Sequence, residues 1–118
     1  MQDLKNIEQV YFLGIGGIGM SALARYFKHY GLPVAGYDRT ENELTRNLQS
    51  EGIAVNYSDD PALLPANITP ANTLVIYTPA VPVTHGELNY LKENNFSIKK
   101  RSQVLGLICN PHQCIAIS

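Results

Sequence analysis

Short apolar runs alternate along the chain with segments in which apolar residues recur every three or four positions. Runs of this kind, closed by glycine, proline or polar residues, are typical of strands that are buried on both faces. We predict strands at residues 10–13, 33–37, 53–55, 74–77, 96–98 and 114–117.

The clearest helical pattern follows the first strand and is expected to stop at Gly31. Its apolar stripe consists of Ile18, Ala22, Leu23, Tyr26, Phe27 and Tyr30. A second helix is expected to stop at Gly52. Residues 58–73 are expected to be irregular because three prolines interrupt them.

Capping signals mark where the other helices begin. Thr40 with Glu43, and Thr84 with Glu87, match the capping box, in which two side chains bond to backbone amides at a helix start. Ser102 is the expected N-cap of a last helix.

Helices between buried apolar strands indicate a parallel sheet that is covered on both faces. With right-handed crossovers, this is an α/β fold with a doubly wound, mostly parallel, Rossmann-like sheet. The length of 118 residues fits one domain spanning residues 1–118, and 45% hydrophobic residues are enough for a core.

Glycines dominate the link between the first strand and the first helix. Gly14, Gly16 and Gly19 satisfy the G-x-G-x-x-G pattern. Gly14 permits a tight turn, Gly16 leaves room for phosphates, and Gly19 is expected to let the helix pack close to the sheet. Unpaired N–H groups at the positive end of the helix face the same point, which predicts a diphosphate site. Glycines that serve only a tight turn are the alternative.

Two further positions belong to the same edge of the predicted sheet. Asp38 follows the second strand, where an acidic residue accepts hydrogen bonds from ribose hydroxyls, and the alternative is a solvated turn residue. The loop 78–81 follows the fourth strand and offers the Thr78 hydroxyl and the backbone of Ala80 and Val81 as polar contacts. A purely structural turn is its alternative.

Charge and composition narrow the function classes. The net charge of −1 excludes a broad basic surface for nucleic acid or anionic lipid. No apolar run approaches the ~18 residues of a membrane helix, and the first residues carry no signal-peptide pattern. We therefore expect a cytoplasmic protein that binds neither membrane nor nucleic acid.

Candidate catalytic and metal-binding residues are lacking in the sequence. His29, His85 and His112 show no spacing typical of a catalytic triad or metal site. Cys109 and Cys114 match no zinc pattern and are expected to be small buried residues. There is also no G-x-x-x-x-G-K-[ST] loop for ATP. The residues alone thus predict the binding of a nucleotide diphosphate and no more.

Longer strings of residues at these positions resemble motifs of the Mur ligases, a family of bacterial cell-wall amino-acid ligases. The most specific is Gly-Ile-Gly-Gly-Ile-Gly-Met-Ser at residues 14–21. The resemblance covers almost the whole chain and continues through Gly36-Tyr37-Asp38, Thr78-Pro79-Ala80-Val81, Glu87 and Lys100-Arg101-Ser102-Gln103-Val104-Leu105. Two departures are Thr78, where serine is more usual, and Tyr37, where the family has a small residue.

The resemblance implies the N-terminal domain of a larger ligase, with an ATP loop expected just after Ser118. The glycine loop favours the branch that joins L-alanine to UDP-N-acetylmuramate, since a related peptide-attaching ligase has Cys and Thr in that loop. In such an enzyme ATP and Mg²⁺ convert the muramoyl carboxylate into an acyl phosphate, which the amino group of L-alanine attacks. This domain would hold the UDP part, carry no cofactor of its own and be inactive alone.

The implied substrate-binding residues fall into three groups. The glycine loop is expected at the diphosphate, Asp38 and the loop 78–81 near the uridine, and Arg101 near the phosphates or the sugar. The full set is Gly14, Ile15, Gly16, Gly17, Ile18, Gly19, Met20, Asp38, Thr78, Pro79, Ala80, Val81 and Arg101.

Two other function classes stay open on the sequence. An NAD(P)-binding domain of an oxidoreductase or regulatory protein fits the strand, the glycine loop and the acidic residue equally well. A regulatory module with an empty Rossmann-like fold would bind no nucleotide and would use an oligomer interface instead.

Overall fold

The computed structural model describes residues 7–58, 60, 64, 68–78, 81 and 85–104. The predicted strand at 114–117 and both cysteines lie outside these residues. The described elements are β1 (Gln9–Leu13), α1 (Ile18–His29), β2 (Val34–Tyr37), α2 (Glu43–Ser50), β3 (Ala54–Asn56), β4 (Thr73–Tyr77), α3 (Gly86–Glu93) and β5 (Ser97–Lys100). The other five predicted strands are confirmed, with bounds that differ by no more than two residues.

The five strands form one parallel sheet in the order β3-β2-β1-β4-β5. The chain moves outward from β1 through β2 to β3, and then crosses back to β4 on the other side of β1. The carboxyl ends of β1 and β4 therefore flank the point where the strand order reverses, where ligands bind in folds of this kind. The predicted doubly wound fold is confirmed.

Alternate residues of β1 point into two hydrophobic cores, one on each face of the sheet. Phe12 packs in one core with Leu23 of α1 and Leu48 of α2. Tyr11 packs in the other core, with Leu88 and further residues of α3. Because helices cover both faces, β1 is buried along its whole length, which explains its uninterrupted apolar pattern.

The predicted start of the second helix is wrong. Asn42, not Thr40, is the N-cap of α2: its side chain accepts from the Thr45 amide, and the Thr45 hydroxyl accepts from the Asn42 amide, each at 2.9 Å. The Thr40 amide instead donates to Asp38 Oδ1 at 3.1 Å. A threonine at the third helical position thus takes the part that the prediction gave to Glu43.

The predicted starts of the last two helices are also wrong. His85 is the N-cap of α3, and Glu87 turns into the protein, where it accepts from a buried hydroxyl; Thr84 lies outside the described residues. Residues 101–104 are already helical, so Ser102 lies inside that segment and is not its N-cap. Lys100 precedes the segment, and its N–H donates to Gln103 Oε1 at 2.8 Å.

The apolar stripe of α1 is interrupted at both ends. Ile18 is 80% exposed and Tyr30 is 64% exposed, whereas Leu23 and Phe27 are buried. Met20 takes the core position that the prediction gave to Ile18. In the part of the chain that the structure describes, no helix has the length and hydropathy of a membrane span.

Candidate functional site

The glycine loop turns sharply at the carboxyl end of β1 and folds over the end of β2. Gly14 has a φ of +91°, which only glycine adopts readily. The amides of Gly14 and Ile15 both donate to the Tyr37 carbonyl, at 2.7 and 2.9 Å. The loop is therefore anchored to the strand that ends beside Asp38.

Asp38 holds the middle of the loop. Its Oδ2 accepts the Gly16 N–H at 2.7 Å, while its Oδ1 accepts the Thr40 N–H. A β-carbon added to Gly16 would lie 2.6 Å from this Oδ2 and 2.9 Å from Thr45 Cγ2, so a larger residue would displace one of them. Gly16 thus makes room for Asp38 and Thr45, and not for phosphates as the glycine pattern predicted. Each carboxylate oxygen has a second lone pair, so Asp38 can still accept hydrogen bonds from a ligand.

The start of α1 is open to a ligand. Gly17 is the N-cap and supplies no side-chain hydrogen bond, and the first turn contains no acidic residue. The first backbone bond of the helix runs from the Ser21 N–H to the Gly17 carbonyl at 2.8 Å. The amides before Ser21 therefore have no partner within the helix and lie at the positive end of its dipole.

Arg101 lies against this helix start. The atoms nearest to a β-carbon added on Gly19 all belong to Arg101, with Nη1 at 3.0 Å. Gly19 thus makes room for the guanidinium, and not for the sheet as the glycine pattern predicted. Among the described residues, no carboxylate lies within 4.0 Å of Arg101. A cation and a positive helix end that face the same point favour an anion there.

The other side of the site is formed by the loop after β4. Thr78 Oγ1 would lie 3.3 Å, and Val81 Cγ2 3.6 Å, from a β-carbon on Gly14. The Val81 N–H donates to the Thr78 carbonyl at 3.0 Å, which closes a tight turn. Pro79 and Ala80 lie outside the described residues. The structure thus brings Thr78 and Val81 next to the glycine loop, as the topology predicts.

Two of the assigned loop residues point away from the site. The side chains of Ile15 and Met20 are buried in the core, so only their backbone atoms can face a ligand. Ile15 Cδ1 occupies the space beside Gly36, where an added β-carbon would lie 2.7 Å from it. By contrast, Gly17 and Ile18 are exposed at the mouth of the site.

Several polar residues near the site were not predicted. Thr45 is buried behind Gly16, and its hydroxyl accepts a hydrogen bond of 3.0 Å from Tyr57. Tyr11, Asn56 and Glu87 form a further polar chain on the α3 face. An asparagine three residues before a threonine was a usable sign of the α2 cap. No local pattern pointed to Tyr57 or Tyr11.

Two cavities, of about 290 and 250 Å³, lie elsewhere in the described structure. Both include Pro33, Val34 and Ala54, which lie at the amino ends of β2 and β3. Because sheets of this type bind ligands at the carboxyl ends of their strands, the glycine loop and not these cavities is the candidate site.

The chain is similar to known proteins of one enzyme family. Residues 9–113 match the family model described as Mur ligase family, catalytic domain. A UDP-N-acetylmuramate–L-alanine ligase of Christiangramia forsetii is 52% identical over 120 residues, which cover 100% of the chain and 26% of that protein. An enzyme of the same name from Flavobacterium johnsoniae is 56% identical over 106 residues, covering 90% of the chain and 24% of that protein.

A solved structure has the same fold. The UDP-N-acetylmuramate-alanine ligase of Thermotoga maritima superposes with a TM-score of 0.73 at 31% sequence identity. The match covers 81% of this chain and 21% of that one. The chain therefore spans about a quarter of the length of the relatives it matches.

Proposed function

Since the chain belongs to the Mur ligase family, we propose that it binds the UDP part of UDP-N-acetylmuramate within a ligase that joins L-alanine to that sugar. The relatives that are about half identical to it carry the name of this enzyme. The domain spanning residues 1–118 is, in this proposal, a substrate-binding domain that needs the rest of the protein for catalysis.

The arrangement around Gly19 is the observation that carries the proposal. The guanidinium of Arg101 lies beside the open amino terminus of α1, and no carboxylate among the described residues neutralises it. A diphosphate supplies the missing negative charge. It can accept hydrogen bonds from the first amides of the helix and from Arg101 together.

The uridine is assigned to the two loops that flank the glycines. The carboxylate of Asp38 is fixed by the amides of Gly16 and Thr40, and its remaining lone pairs suit ribose hydroxyls. Thr78 and Val81 form the opposite side of the site, next to Gly14. Residues 79 and 80 complete that loop in the proposal.

Catalysis is assigned to the remainder of the protein. The sequence holds no G-x-x-x-x-G-K-[ST] loop, so ATP and Mg²⁺ are placed outside this domain. With those parts present, the muramoyl carboxylate would be activated as an acyl phosphate and attacked by L-alanine. The chemistry requires cytoplasmic ATP, and we therefore place the enzyme in the cytoplasm.

Calorimetric titration of the 118-residue chain tests the binding role. We expect UDP-N-acetylmuramate to bind, UDP to bind more weakly, and NAD⁺ to give no heat. Binding of NAD⁺ alone would instead identify a dinucleotide domain. If none of the three ligands gives binding heat, the assignment of the UDP site to this chain is contradicted.

Two matched variants test the phosphate contact itself. Arg101→Met keeps the length of the side chain but removes its charge. The loss of a charge-assisted hydrogen bond is worth about 1.5–3 kcal/mol, so the affinity for UDP should fall at least about tenfold. Arg46→Met removes a charge from an exposed arginine of α2 and should leave the affinity unchanged. Equal affinities in the two variants would remove Arg101 from the site.

A further inference from the structure

A chain of buried and half-buried polar side chains crosses the sheet on the α3 face, close to the candidate site. Glu87 is fully buried, and its Oε1 accepts a hydrogen bond of 2.8 Å from the Tyr11 hydroxyl. The same hydroxyl accepts a hydrogen bond of 2.8 Å from Asn56 Nδ2. The chain thus links the first turn of α3 to the end of β3, through a β1 side chain that reaches over β2.

Both hydrogen bonds run in the same direction, from Asn56 through Tyr11 to the side chain of Glu87. The Tyr11 hydroxyl donates its proton to Glu87, which leaves the Tyr11 oxygen able to accept a hydrogen bond from the other side. Asn56 donates that hydrogen bond with its amide nitrogen. Its Oδ1 is then buried with no hydrogen-bond partner among the described residues. The amide nitrogen also donates to the Gly36 carbonyl at 3.5 Å, so two acceptors, one of them the Tyr11 hydroxyl, fix this orientation of the Asn56 side chain.

Asn56 also holds Asp38 in place. It is the last residue of β3, a strand of three residues at the edge of the sheet, and its carbonyl accepts the Asp38 N–H at 3.0 Å. Asp38 in turn holds the Gly16 amide. Only the ladder with β2 holds this short edge strand in the sheet, so the bond from Asn56 to Tyr11 adds a second restraint on where its end lies.

A ring contact joins the same two regions. His85, the N-cap of α3, packs against Tyr37 with 4.6 Å between the ring centroids. Tyr37 directly precedes Asp38. The start of α3 is therefore tied to the end of β2 as well as to the end of β3.

We propose that Glu87, acting through Tyr11 and Asn56, is a positioning residue for the corner at which Asp38 holds the Gly16 amide. An effect of Glu87 on ligand affinity rests on the proposed UDP-binding role, because this corner is part of the proposed UDP site. The positioning itself is measurable without any ligand, at the amide proton of Gly16.

Hydrogen exchange of ¹⁵N-labelled protein tests this role in the 118-residue chain. The variants are Tyr11→Phe, which removes only the hydroxyl, Glu87→Leu and Glu87→Gln; Tyr90→Phe, on the exposed side of α3, is the control. The amides of Ile53 and Thr73, which belong to buried residues and donate to Leu48 and Thr69 away from the site, are internal references.

We expect the Gly16 amide to exchange at least about fivefold faster in Tyr11→Phe and Glu87→Leu, with the two references within about twofold of the unmodified chain. Glu87→Gln keeps an acceptor oxygen for Tyr11 and should restore slow exchange. The affinity for UDP should fall by the same factor as the Gly16 protection in each variant.

Parallel acceleration of the Gly16 amide and both reference amides would show that Tyr11 and Glu87 only stabilise the fold, and would overturn the positioning role. Unchanged exchange at Gly16 would overturn it too. If Glu87→Leu does not fold, the exchange rate of the Gly16 amide in Tyr11→Phe alone tests the positioning role. If the unmodified chain does not bind UDP, the proposed function fails, whereas exchange at Gly16 still decides the positioning role.

Discussion

Gly16 and Gly17 are neighbours in the loop but differ in what surrounds their missing side chains. A β-carbon on Gly16 would lie 2.6 Å from Asp38 Oδ2, whereas the nearest atom to one on Gly17 is the Gly14 carbonyl oxygen at 3.9 Å. Gly17 also has a φ of −73°, which any residue can adopt. Only the first glycine is therefore required by the close approach of Asp38.

The matched pair Gly16→Ala and Gly17→Ala tests this difference. Gly16→Ala should push Asp38 away and break its hydrogen bond to the loop. A hydrogen bond to a charged group contributes about 1.5–3 kcal/mol, so we expect the affinity for UDP-N-acetylmuramate to fall at least about tenfold. Gly17→Ala should bind within about threefold of the unmodified chain. Calorimetric titration measures both, and equal losses would contradict the assigned role of Asp38.

At this scale the sequence predicted which residues meet but not how they meet. The glycine pattern placed Gly14, Gly16 and Gly19 beside a helix start, and the family motif added Arg101. It did not predict that Gly19 accommodates Arg101 or that Asp38 bonds to the loop itself. Those contacts depend on side-chain conformations that form only after β2 and β5 have been placed next to β1 and β4.

Among the secondary-structure elements, those that depend on local sequence pattern were predicted, and those that depend on contacts with distant residues were not. The central strands β1 and β4 were predicted well because they are buried, and burial on both faces leaves an apolar run that can be recognised without knowing its partner. The edge strands β3 and β5 are only partly buried, and their predicted bounds are shifted by one or two residues. The helix starts were predicted wrongly. Glu87 matched a capping box by spacing, yet its carboxylate meets Tyr11, which lies 76 residues away in sequence. A local pattern carries no information about such a partner.

The corrected cap of α2 makes a prediction at this scale. Asn42→Ala removes the side chain that accepts from the Thr45 amide, and losing such a cap costs about 1 kcal/mol. Thr40→Ala removes an exposed side chain at the position first predicted as the cap and should leave the free energy of unfolding within about 0.5 kcal/mol. Urea unfolding of both variants is the measurement. A larger loss for Thr40→Ala would restore the Thr40–Glu43 box.

The candidate site is assembled from segments that are distant in sequence. Gly14 follows β1, Asp38 follows β2, Thr78 follows β4 and Arg101 follows β5. A parallel sheet brings all these carboxyl ends to one edge, so the topology alone predicted that the residues would be neighbours. The order of the strands decides which of them touch. That order depends on the pairing of β1 with both β2 and β4, which periodicity does not reveal.

Because the site joins four of the five strands, a ligand bound there should stabilise the fold as one unit. A single domain of this size is expected to unfold cooperatively, and the unfolded chain has no such site. At a concentration 100 times its dissociation constant, a ligand adds about 2.7 kcal/mol to the free energy of unfolding. For a domain near 100 residues this raises the Tm by about 10 °C. UDP-N-acetylmuramate should produce this shift in the unmodified chain. In Gly16→Ala, where the affinity is expected to be at least about tenfold weaker, the shift at the same concentration should be no more than about half as large. Differential scanning calorimetry measures these Tm values. If the Tm stays constant although the titration releases heat, the ligand binds the folded and unfolded chains alike. The four strand ends would then not form its site.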